Sequence, residues 1–295
     1  MFRDRSGAIV YISGSERQDI VDLRRSLKLL EKNFNSRFQY PIIIFHEGFP
    51  ERVQRELKRG LESQVRFEKI TLSVPVFLDE DEIVRQVEGK PWSIGYLNMI
   101  RWCSIDFFLH PAMDDFDWYW HFDTDSFLIG KVDYDVFKFM EENNLLYGYQ
   151  TMMKESDYAC ESFWETTEHY VSSRGIRPTF LKKHMNGSAW DQSYYYADFE
   201  ISRLDFWRSD QYRDYFDYID KTGGIYRYRW GDTLIHTMAV FMFMDEKQTH
   251  QFTDLDWRHQ GYVNDNSFLK IQTLRRNIWR KYRKRRLVGK LVRNT

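Results

Sequence analysis

Apolar residues recur along the chain at two spacings, and segments with the spacing of strands alternate with segments that have the spacing of helices. Residues 8–13 and 42–45 are short apolar runs, which predict buried strands. Between them an amphipathic helix is predicted, because apolar residues recur every three or four positions at Ile20, Leu23, Leu27, Leu30 and Phe34. This alternation indicates a parallel or mixed sheet with helices on both faces.

The alternation continues along the rest of the chain. Strands are predicted at 65–70, 117–123 and 146–150, and helices after Pro50 and at 91–110, 134–142, 161–173, 209–219 and 232–243. A further element is predicted at 201–206. Residues 174–197 are irregular and rich in Tyr, Gly, Asn and Ser, which predicts a binding loop. Because no repeat or linker precedes residue 270, we expect one α/β domain at 1–269 and a C-terminal extension at 270–295.

Composition narrows the class of protein. Hydrophobic residues make up 42% of the 295 residues and aromatic residues 18%, and a chain of this size can bury a large core without cross-links. It has no run of 18 apolar residues, and its first residues lack the apolar core of a signal peptide, so we expect neither a membrane span nor secretion. Cys103 and Cys160 are too few for a disulfide framework or a cysteine zinc site.

The net charge of −1 conceals an uneven distribution. Residues 270–295 carry eleven of the 43 basic residues and no acid, which leaves 32 bases against 44 acids elsewhere. Apolar residues recur in this segment at helical spacing, so it is predicted to be a basic amphipathic helix that contacts an anionic membrane or packs on the domain. The acidic main body argues against nucleic acid as a partner.

The triplet Asp123-Thr124-Asp125 ends the strand predicted at 117–123. Two carboxylates separated by one residue can both reach a cation at a turn, and Mg²⁺ and Mn²⁺ prefer oxygen ligands. In open α/β sheets, ligands bind beyond the carboxyl ends of strands, which is where this turn would lie. The pattern alone is weak, since Asp254-Leu255-Asp256 repeats it. Its place after a strand makes the first triplet a candidate metal site.

Two further polar side chains occur in apolar surroundings. Glu200 lies among aromatic residues, where burying a carboxylate is costly unless it is functional or paired, here with Arg203 or Arg208. His236 lies near the start of the helix predicted at 232–243, and both a structural hydrogen bond and metal ligation are open for it. HExxH, GxSxG, GxGxxG and Walker A motifs are absent, which argues against zinc hydrolases, serine hydrolases, dinucleotide-binding proteins and P-loop proteins.

A series of short motifs occurs in one order between residues 8 and 260. They are SRFQYP at 36–41, SIGY at 93–96, DWYW at 117–120, DYDVF at 133–137, YG at 147–148, DFEI at 198–201, GG at 223–224, and RWGD at 229–232 with His236. As a set, the motifs resemble those of the fungal Golgi α-1,2-mannosyltransferases. The resemblance implies a GT-A glycosyltransferase fold and a retaining enzyme that uses GDP-mannose and Mn²⁺.

The resemblance also implies roles for individual residues. Asp123 and His236 match the positions of the family's metal ligands, and Asp125 matches the second acid of its strand-end triplet. All three are expected to hold the metal and the diphosphate of the nucleotide. Glu200 matches the carboxylate proposed as nucleophile or as stabiliser of an oxocarbenium ion. Asp232 matches a catalytic position near the sugar and the acceptor.

Three more residues match positions that bind the donor. Tyr96 and Arg101 fall in a helix beside the nucleotide, and Trp230 lies near the sugar. Two segments depart from the family pattern: the triplet has lost the usual Glu-Pro pair, and Gly14-Ser15-Glu16-Arg17 replaces an Arg-Asn that touches the nucleotide. A UDP-sugar donor therefore stays open beside GDP-mannose. The family is disulfide-bearing and membrane-anchored, whereas this sequence predicts a cytoplasmic enzyme, viral or membrane-peripheral, or a Golgi-lumenal one if trimmed.

The sequence therefore predicts a GT-A enzyme with a mixed, mainly parallel sheet that transfers mannose or a related hexose to a saccharide hydroxyl. Mn²⁺ or Mg²⁺ is the expected cofactor, and the acceptor is an oligosaccharide or a glycoprotein. Two other classes are weighed against it. A catalytically inactive glycan-binding relative would not need acids at 123, 125 and 200, and a two-metal phosphoesterase would need a second cluster of acids.

Overall fold

The computed structural model describes residues 7–79, 81, 83, 86–87, 90–260 and 262–264. Its helices are α1 (Arg17–Leu30), α2 (Ser36–Phe38), α3 (Glu51–Lys58), α4 (Ile94–Arg101), α5 (Phe107–Leu109), α6 (Val136–Glu142), α7 (Phe163–Ser173), α8 (Leu204–Trp207), α9 (Asp210–Lys221), α10 (Gly224–Tyr228) and α11 (Asp232–Phe243). Two π-helical turns, Glu31–Asn35 and Trp102–Asp106, join α1 to α2 and α4 to α5.

The strands are short apart from those at the centre of the molecule. They are β1 (Gly7–Ser13), β2 (Ile42–His46), β3 (Val65–Lys69), β4 (Gln86–Val87), β5 (Lys90–Pro91), β6 (Trp118–Asp123), β7 (Ser126–Leu128), β8 (Tyr147–Tyr149), β9 (Met152–Lys154), β10 (Met185–Asn186), β11 (Ala189–Trp190), β12 (Ser193–Tyr195), β13 (Ile201–Arg203), β14 (Thr249–Gln251), β15 (Trp257–His259) and β16 (Tyr262–Asn264).

Seven of the described strands form the central sheet, in the order β14-β8-β13-β6-β1-β2-β3. β1 runs parallel to β2 and β6, and β2 runs parallel to β3. β13 lies antiparallel between β6 and β8, and β14 is parallel to β8. The predicted mixed, mainly parallel sheet is confirmed.

The two faces of the sheet are covered by different helices. All seven residues of β1 are buried, as expected for a strand whose sequence is a continuous apolar run. Ala8, Val10 and Ile12 pack in one core with residues of α4, α9 and α11. Ile9 and Tyr11 pack in a second core with residues of α1 and α6. The sheet therefore lies between two helical layers, and its carboxyl edge is free to form a site.

The segment predicted as one element at 201–206 contains parts of two elements, β13 and α8. β13 ends at Arg203, which pairs with Trp118, the first residue of β6. The next backbone amide, that of Leu204, donates to the carbonyl of Asp117 at 2.8 Å. Because β6 offers no further residue to pair with, the chain turns there into α8. The region predicted as an irregular loop, 174–197, contains the short strands β10–β12.

The basic segment 270–295 lies outside the described residues. Its amphipathic helix, its contact with an anionic membrane and the domain boundary at 269 stay predictions, as does the cytoplasmic location. In the described part of the chain, none of the helices combines the length and the apolar character needed to cross a bilayer.

Tight packing at the sheet predicts an effect on stability. A Cβ on Gly148 of β8 would lie 2.5 Å from Ile201 Cγ2 and 2.5 Å from the ring of Phe252, and both side chains are buried. We expect Gly148→Ala to lower the free energy of unfolding by about 1–3 kcal/mol, measured by urea denaturation. Gly48→Ala is the control, because its Cβ would meet nothing within 4 Å. Equal losses in the two variants would contradict the packing argument.

Candidate active site

The carboxyl half of β6 positions the first side chains of the site. Because side chains alternate along a strand, Tyr119, His121 and Asp123 project from one face of the sheet. Tyr119 donates a hydrogen bond to the carboxylate of Glu200. His121 and Asp123 line a cavity at this edge of the sheet. The site thus lies at the carboxyl end of a central strand, as the sequence predicted.

Strand pairing places a histidine against this acidic turn. β15 pairs antiparallel with β7, and in this register His259 lies opposite Ser126, the residue that follows Asp125. His259 Nε2 is 2.9 Å from Asp125 Oδ1 and 3.6 Å from Asp123 Oδ2. His259 is 3% exposed, so its imidazole is held on the cluster by the fold.

A third acid completes the cluster from the loop before β13. The carboxylate of Asp198 contacts His259 Nδ1, and the Tyr196 hydroxyl lies 2.5 Å from the same nitrogen. Asp123, Asp198 and His259 each offer one ligand atom, and these atoms lie within 4.8 Å of one another. We call these three residues the metal-ligand cluster.

The side chains of the metal-ligand cluster shift one another's pKa values. Burial, together with repulsion from Asp198, raises the pKa of Asp123 well above its usual range. Burial would lower the pKa of His259, but Asp198 and the hydrogen bond to Asp125 outweigh it and raise that pKa well above normal. Burial would raise the pKa of Asp198, but His259 outweighs it and lowers that pKa. Closely spaced buried carboxylates are stabilised by a positive charge between them. A divalent cation such as Mn²⁺ supplies that charge and binds both carboxylate oxygens and imidazole nitrogens.

Glu200 lies beneath the cavity that His121 and Asp123 line, and it is not part of that cavity's wall. It is 1% exposed, and both of its oxygens accept hydrogen bonds. Oε1 accepts from Tyr119, and Oε2 accepts from the Tyr147 hydroxyl at 2.7 Å and lies 3.3 Å from His236 Nδ1. Burial would raise the pKa of Glu200, but His236 and the two tyrosines outweigh it and lower that pKa. These partners favour the ionised carboxylate, and the alternative pairing with Arg203 or Arg208 is not what the structure shows.

His236 has a different neighbour from the one expected. The sequence placed it with Asp123 on a metal, but the structure places it on α11 against Glu200, with only 3% of its surface exposed. Burial would lower the pKa of His236, but the charge of Glu200 outweighs it and raises that pKa. His259 occupies the place beside Asp123 that was expected for His236. Ligation by His236 stays a prediction, and the geometry favours His259.

Two residues predicted to bind the donor are used within the fold. Arg101 pairs with Asp220 at 2.8 Å and lies 3.6 Å from Asp106. Trp230 is completely buried, donates its indole hydrogen to the carbonyl of Glu161 at 2.7 Å and packs on Gly224. Neither residue lines the cavities at the described carboxyl edge of the sheet. Their predicted contacts with the donor stay predictions.

Two cavities meet at the acidic turn. The β1 cavity, of about 480 Å³, is lined by the end of β1 and the following turn, by Glu47, and by the triplet at 123–125. The α11 cavity, of about 290 Å³, is lined by the start of α11 and by residues that include His121, Asp198 and His259. Both cavities share Tyr96, Met99, Asp123 and Gln260. A ligand with two parts joined by a short linker could thus lie across the metal-ligand cluster.

Asp232 lines the α11 cavity and a void of about 10 Å³ beneath it. Glu200 and His236 line the same void. Burial raises the pKa of Asp232. As the first residue of α11, Asp232 forms part of the wall of the α11 cavity. The structure therefore brings Asp232, predicted to be catalytic, next to Glu200.

Sequence reasoning missed two members of the metal-ligand cluster. Asp198 lies in the DFEI motif at 198–201, and only Glu200 of that motif was predicted to be a site residue. His259 follows no motif, and its spacing from Asp123 carries no signal, because only the pairing of β15 with β7 brings the two together.

Comparison with known proteins relates the chain to a family. Residues 3–276 match the family described as glycolipid 2-alpha-mannosyltransferase. The chain is 33% identical over 261 residues to the alpha-1,2 mannosyltransferase KTR1 of Saccharomyces cerevisiae, covering 82% of this chain and 66% of that protein. The chain thus spans just under two thirds of that relative's length.

Solved structures give the same result. The crystal structure of core-mannan synthase A from Aspergillus fumigatus, in its Mn/GDP form, matches with a TM-score of 0.80 at 25% identity, covering 89% of this chain and 76% of that one. The mannosyltransferase Ktr4p of S. cerevisiae in complex with GDP matches with a TM-score of 0.79 at 25% identity, covering 88% and 72%.

The sheet, the two cavities and the acidic strand end define a glycosyltransferase of the GT-A class, and the predicted fold is confirmed. The chain belongs to the glycolipid 2-alpha-mannosyltransferase family. The resemblance stated from the motifs is confirmed as well.

The metal-ligand cluster can be tested by binding of the metal alone. We expect His259→Ala to weaken Mn²⁺ binding by at least about 10-fold, because an inner ligand is lost. His236→Ala removes a buried histidine of the neighbouring site and should leave Mn²⁺ affinity unchanged. Titration of Mn²⁺ followed by electron paramagnetic resonance measures both. The reverse ranking would restore His236 as the ligand.

Proposed function

We propose that the protein transfers a mannosyl group from GDP-mannose to a hydroxyl group of an oligosaccharide or glycoprotein, with Mn²⁺ and with retention of anomeric configuration. The observation that carries the proposal is the metal-ligand cluster at the junction of two cavities. Membership of the family supports mannose, and the Mn/GDP form of core-mannan synthase A and the GDP complex of Ktr4p support the metal and the donor.

The two cavities suit the two halves of a nucleotide sugar. In this proposal the nucleoside occupies the β1 cavity, at the carboxyl ends of β1 and β2, which is where open α/β sheets bind nucleotides. The sugar occupies the α11 cavity. The diphosphate then crosses the junction that Tyr96, Met99, Asp123 and Gln260 line.

Asp123, Asp198 and His259 would hold the metal, with Asp125 hydrogen-bonded to His259 beside them. The cation supplies positive charge that stabilises the departing diphosphate and fixes its orientation.

Glu200 acts on the sugar through its charge in this proposal. A carboxylate whose two oxygens already accept hydrogen bonds from Tyr119, Tyr147 and His236 is a poor nucleophile. Its negative charge is nonetheless held permanently in a buried place below the α11 cavity, where it favours positive charge developing at the anomeric carbon. Asp232, in the cavity wall, is placed to accept a hydrogen bond from a sugar hydroxyl.

The acceptor side of the α11 cavity is aromatic. Tyr158, Tyr194 and Tyr196 line it, and aromatic rings offer flat apolar faces on which sugar rings can pack. These residues come from the region at 151–197 that contains the predicted binding loop. This part of the cavity would receive the saccharide whose hydroxyl group attacks.

A donor screen tests the proposed function. We expect the purified protein to release GDP from GDP-mannose in the presence of Mn²⁺ and to stop when EDTA is added, because the metal stabilises the leaving group. GDP-fucose and a set of UDP-sugars serve as controls, and nucleotide release is followed in each. Release from a UDP-sugar alone would contradict mannose as the substrate. No release and no nucleotide binding would favour a glycan-binding protein without activity.

The charge of Glu200 can be tested without changing the shape of the residue. We expect Glu200→Gln to lower kcat by about 10²–10³-fold, the usual cost of losing one electrostatic stabiliser of a transition state. KM for the donor should change little, because the side chain lies below the cavity. Glu165→Gln, on an exposed position of α7, is the matched control. A folded Glu200→Gln variant with normal kcat would remove Glu200 from the mechanism.

A further inference from the structure

The walls of the two cavities are rich in acids and poor in bases. Among the described residues that line them, Arg229 is the sole Lys or Arg, whereas Asp19, Glu47, Asp123 and Glu155 stand among several acids. A nucleoside diphosphate brings further negative charge into this place. Arg101, the cation predicted from sequence to meet it, is paired with Asp220 instead.

The side chain of Arg229 is held in a defined place. Its guanidinium packs over the ring of Trp92, 4.6 Å from the centroid, and donates to the Tyr96 hydroxyl at 2.8 Å. Glu155 lies 3.5 Å away, and 17% of the arginine side chain is exposed. Nε is buried and has no hydrogen-bond partner among the described residues. The group thus keeps hydrogen-bonding capacity that the fold does not use.

The backbone of Arg229 points to the same conclusion. It adopts φ 63° and ψ 40°, the left-handed conformation, at the end of α10. This conformation suits Gly or Asn at a helix end and costs a larger residue of order 1 kcal/mol. Either of those residues would make the turn more easily than arginine. The left-handed turn therefore does not explain why position 229 is an arginine rather than Gly or Asn.

We propose that Arg229 binds the sugar-linked phosphoryl group of the nucleotide-sugar donor. The inference rests on the proposed function, because it requires a nucleoside diphosphate across the junction of the cavities. Arg229 lines the α11 cavity and not the β1 cavity, whereas its partner Tyr96 lines both. The guanidinium therefore meets the diphosphate from the sugar side. A planar fork of N–H donors suits two phosphate oxygens at once.

Ligands of increasing length test this assignment. The affinities of guanosine, GMP and GDP are measured by calorimetry with Mn²⁺ for the wild type, Arg229→Asn and Arg229→Lys. Asparagine tolerates the left-handed backbone and removes the charge. We expect Arg229→Asn to weaken GDP by about 10- to 100-fold, the usual effect of losing a charged hydrogen bond, and to leave GMP and guanosine nearly unchanged. Lysine should restore part of the GDP affinity.

Two controls separate this role from a structural one. Arg174→Gln removes an arginine from a surface pair with Asp214 and should change none of the three affinities. If Arg229 merely positions Tyr96, then Arg229→Asn and Tyr96→Phe will weaken all three ligands equally, which would overturn the assignment. A wild-type protein that binds no GDP at all would refute the proposed function itself, so the two failures are distinguishable.

Discussion

The alternation of side chains along β6, in the middle of a sheet covered on both faces, is the constraint on which the rest of the structure depends. Trp118, Trp120 and Phe122 are buried in the core beneath α1 and α6. Tyr119, His121 and Asp123 must then face the other way, toward α11. One strand therefore supplies an anchor for Glu200, a wall residue of the α11 cavity and an acid of the metal-ligand cluster, in steps of two residues.

Two buried acids, Asp198 and Glu200, are stabilised by partners of the same kinds. Asp198 contacts His259 and Tyr196, and Glu200 contacts His236 with two tyrosines. An ionised carboxylate is costly to bury unless it is both paired and hydrogen-bonded. Each acid has such partners, but Asp198 stays at the cavity while Glu200 lies below it. Asp198 is therefore accessible to a cation from the α11 cavity, and Glu200 is not.

Two arginines show how little residue type says about role. Arg101 is the last residue of α4, in the helix that the motif resemblance placed beside the nucleotide, and Arg229 is the first residue of the RWGD motif before α11. Arg101 is neutralised by Asp220 and Asp106. Arg229 lies on an aromatic ring in the cavity wall with part of its donor capacity unused. Which arginine is available is decided by the acids that the packing of α9 brings near.

The sequence by itself determined the elements, the class of sheet, the strand-end acids and the family, because these depend on local periodicity and on motifs read along the chain. It also singled out Glu200, which aromatic neighbours made conspicuous. Only the tertiary structure decided which histidine meets Asp123, since that depends on the pairing of β15 with β7, more than 120 positions apart in the chain. His236 and His259 are the same residue type, so residue type alone does not separate their roles. The packing of α11 sets His236 beside Glu200, and the long-range register of β15 sets His259 beside the acids that would hold the metal; neither leaves a mark on local spacing.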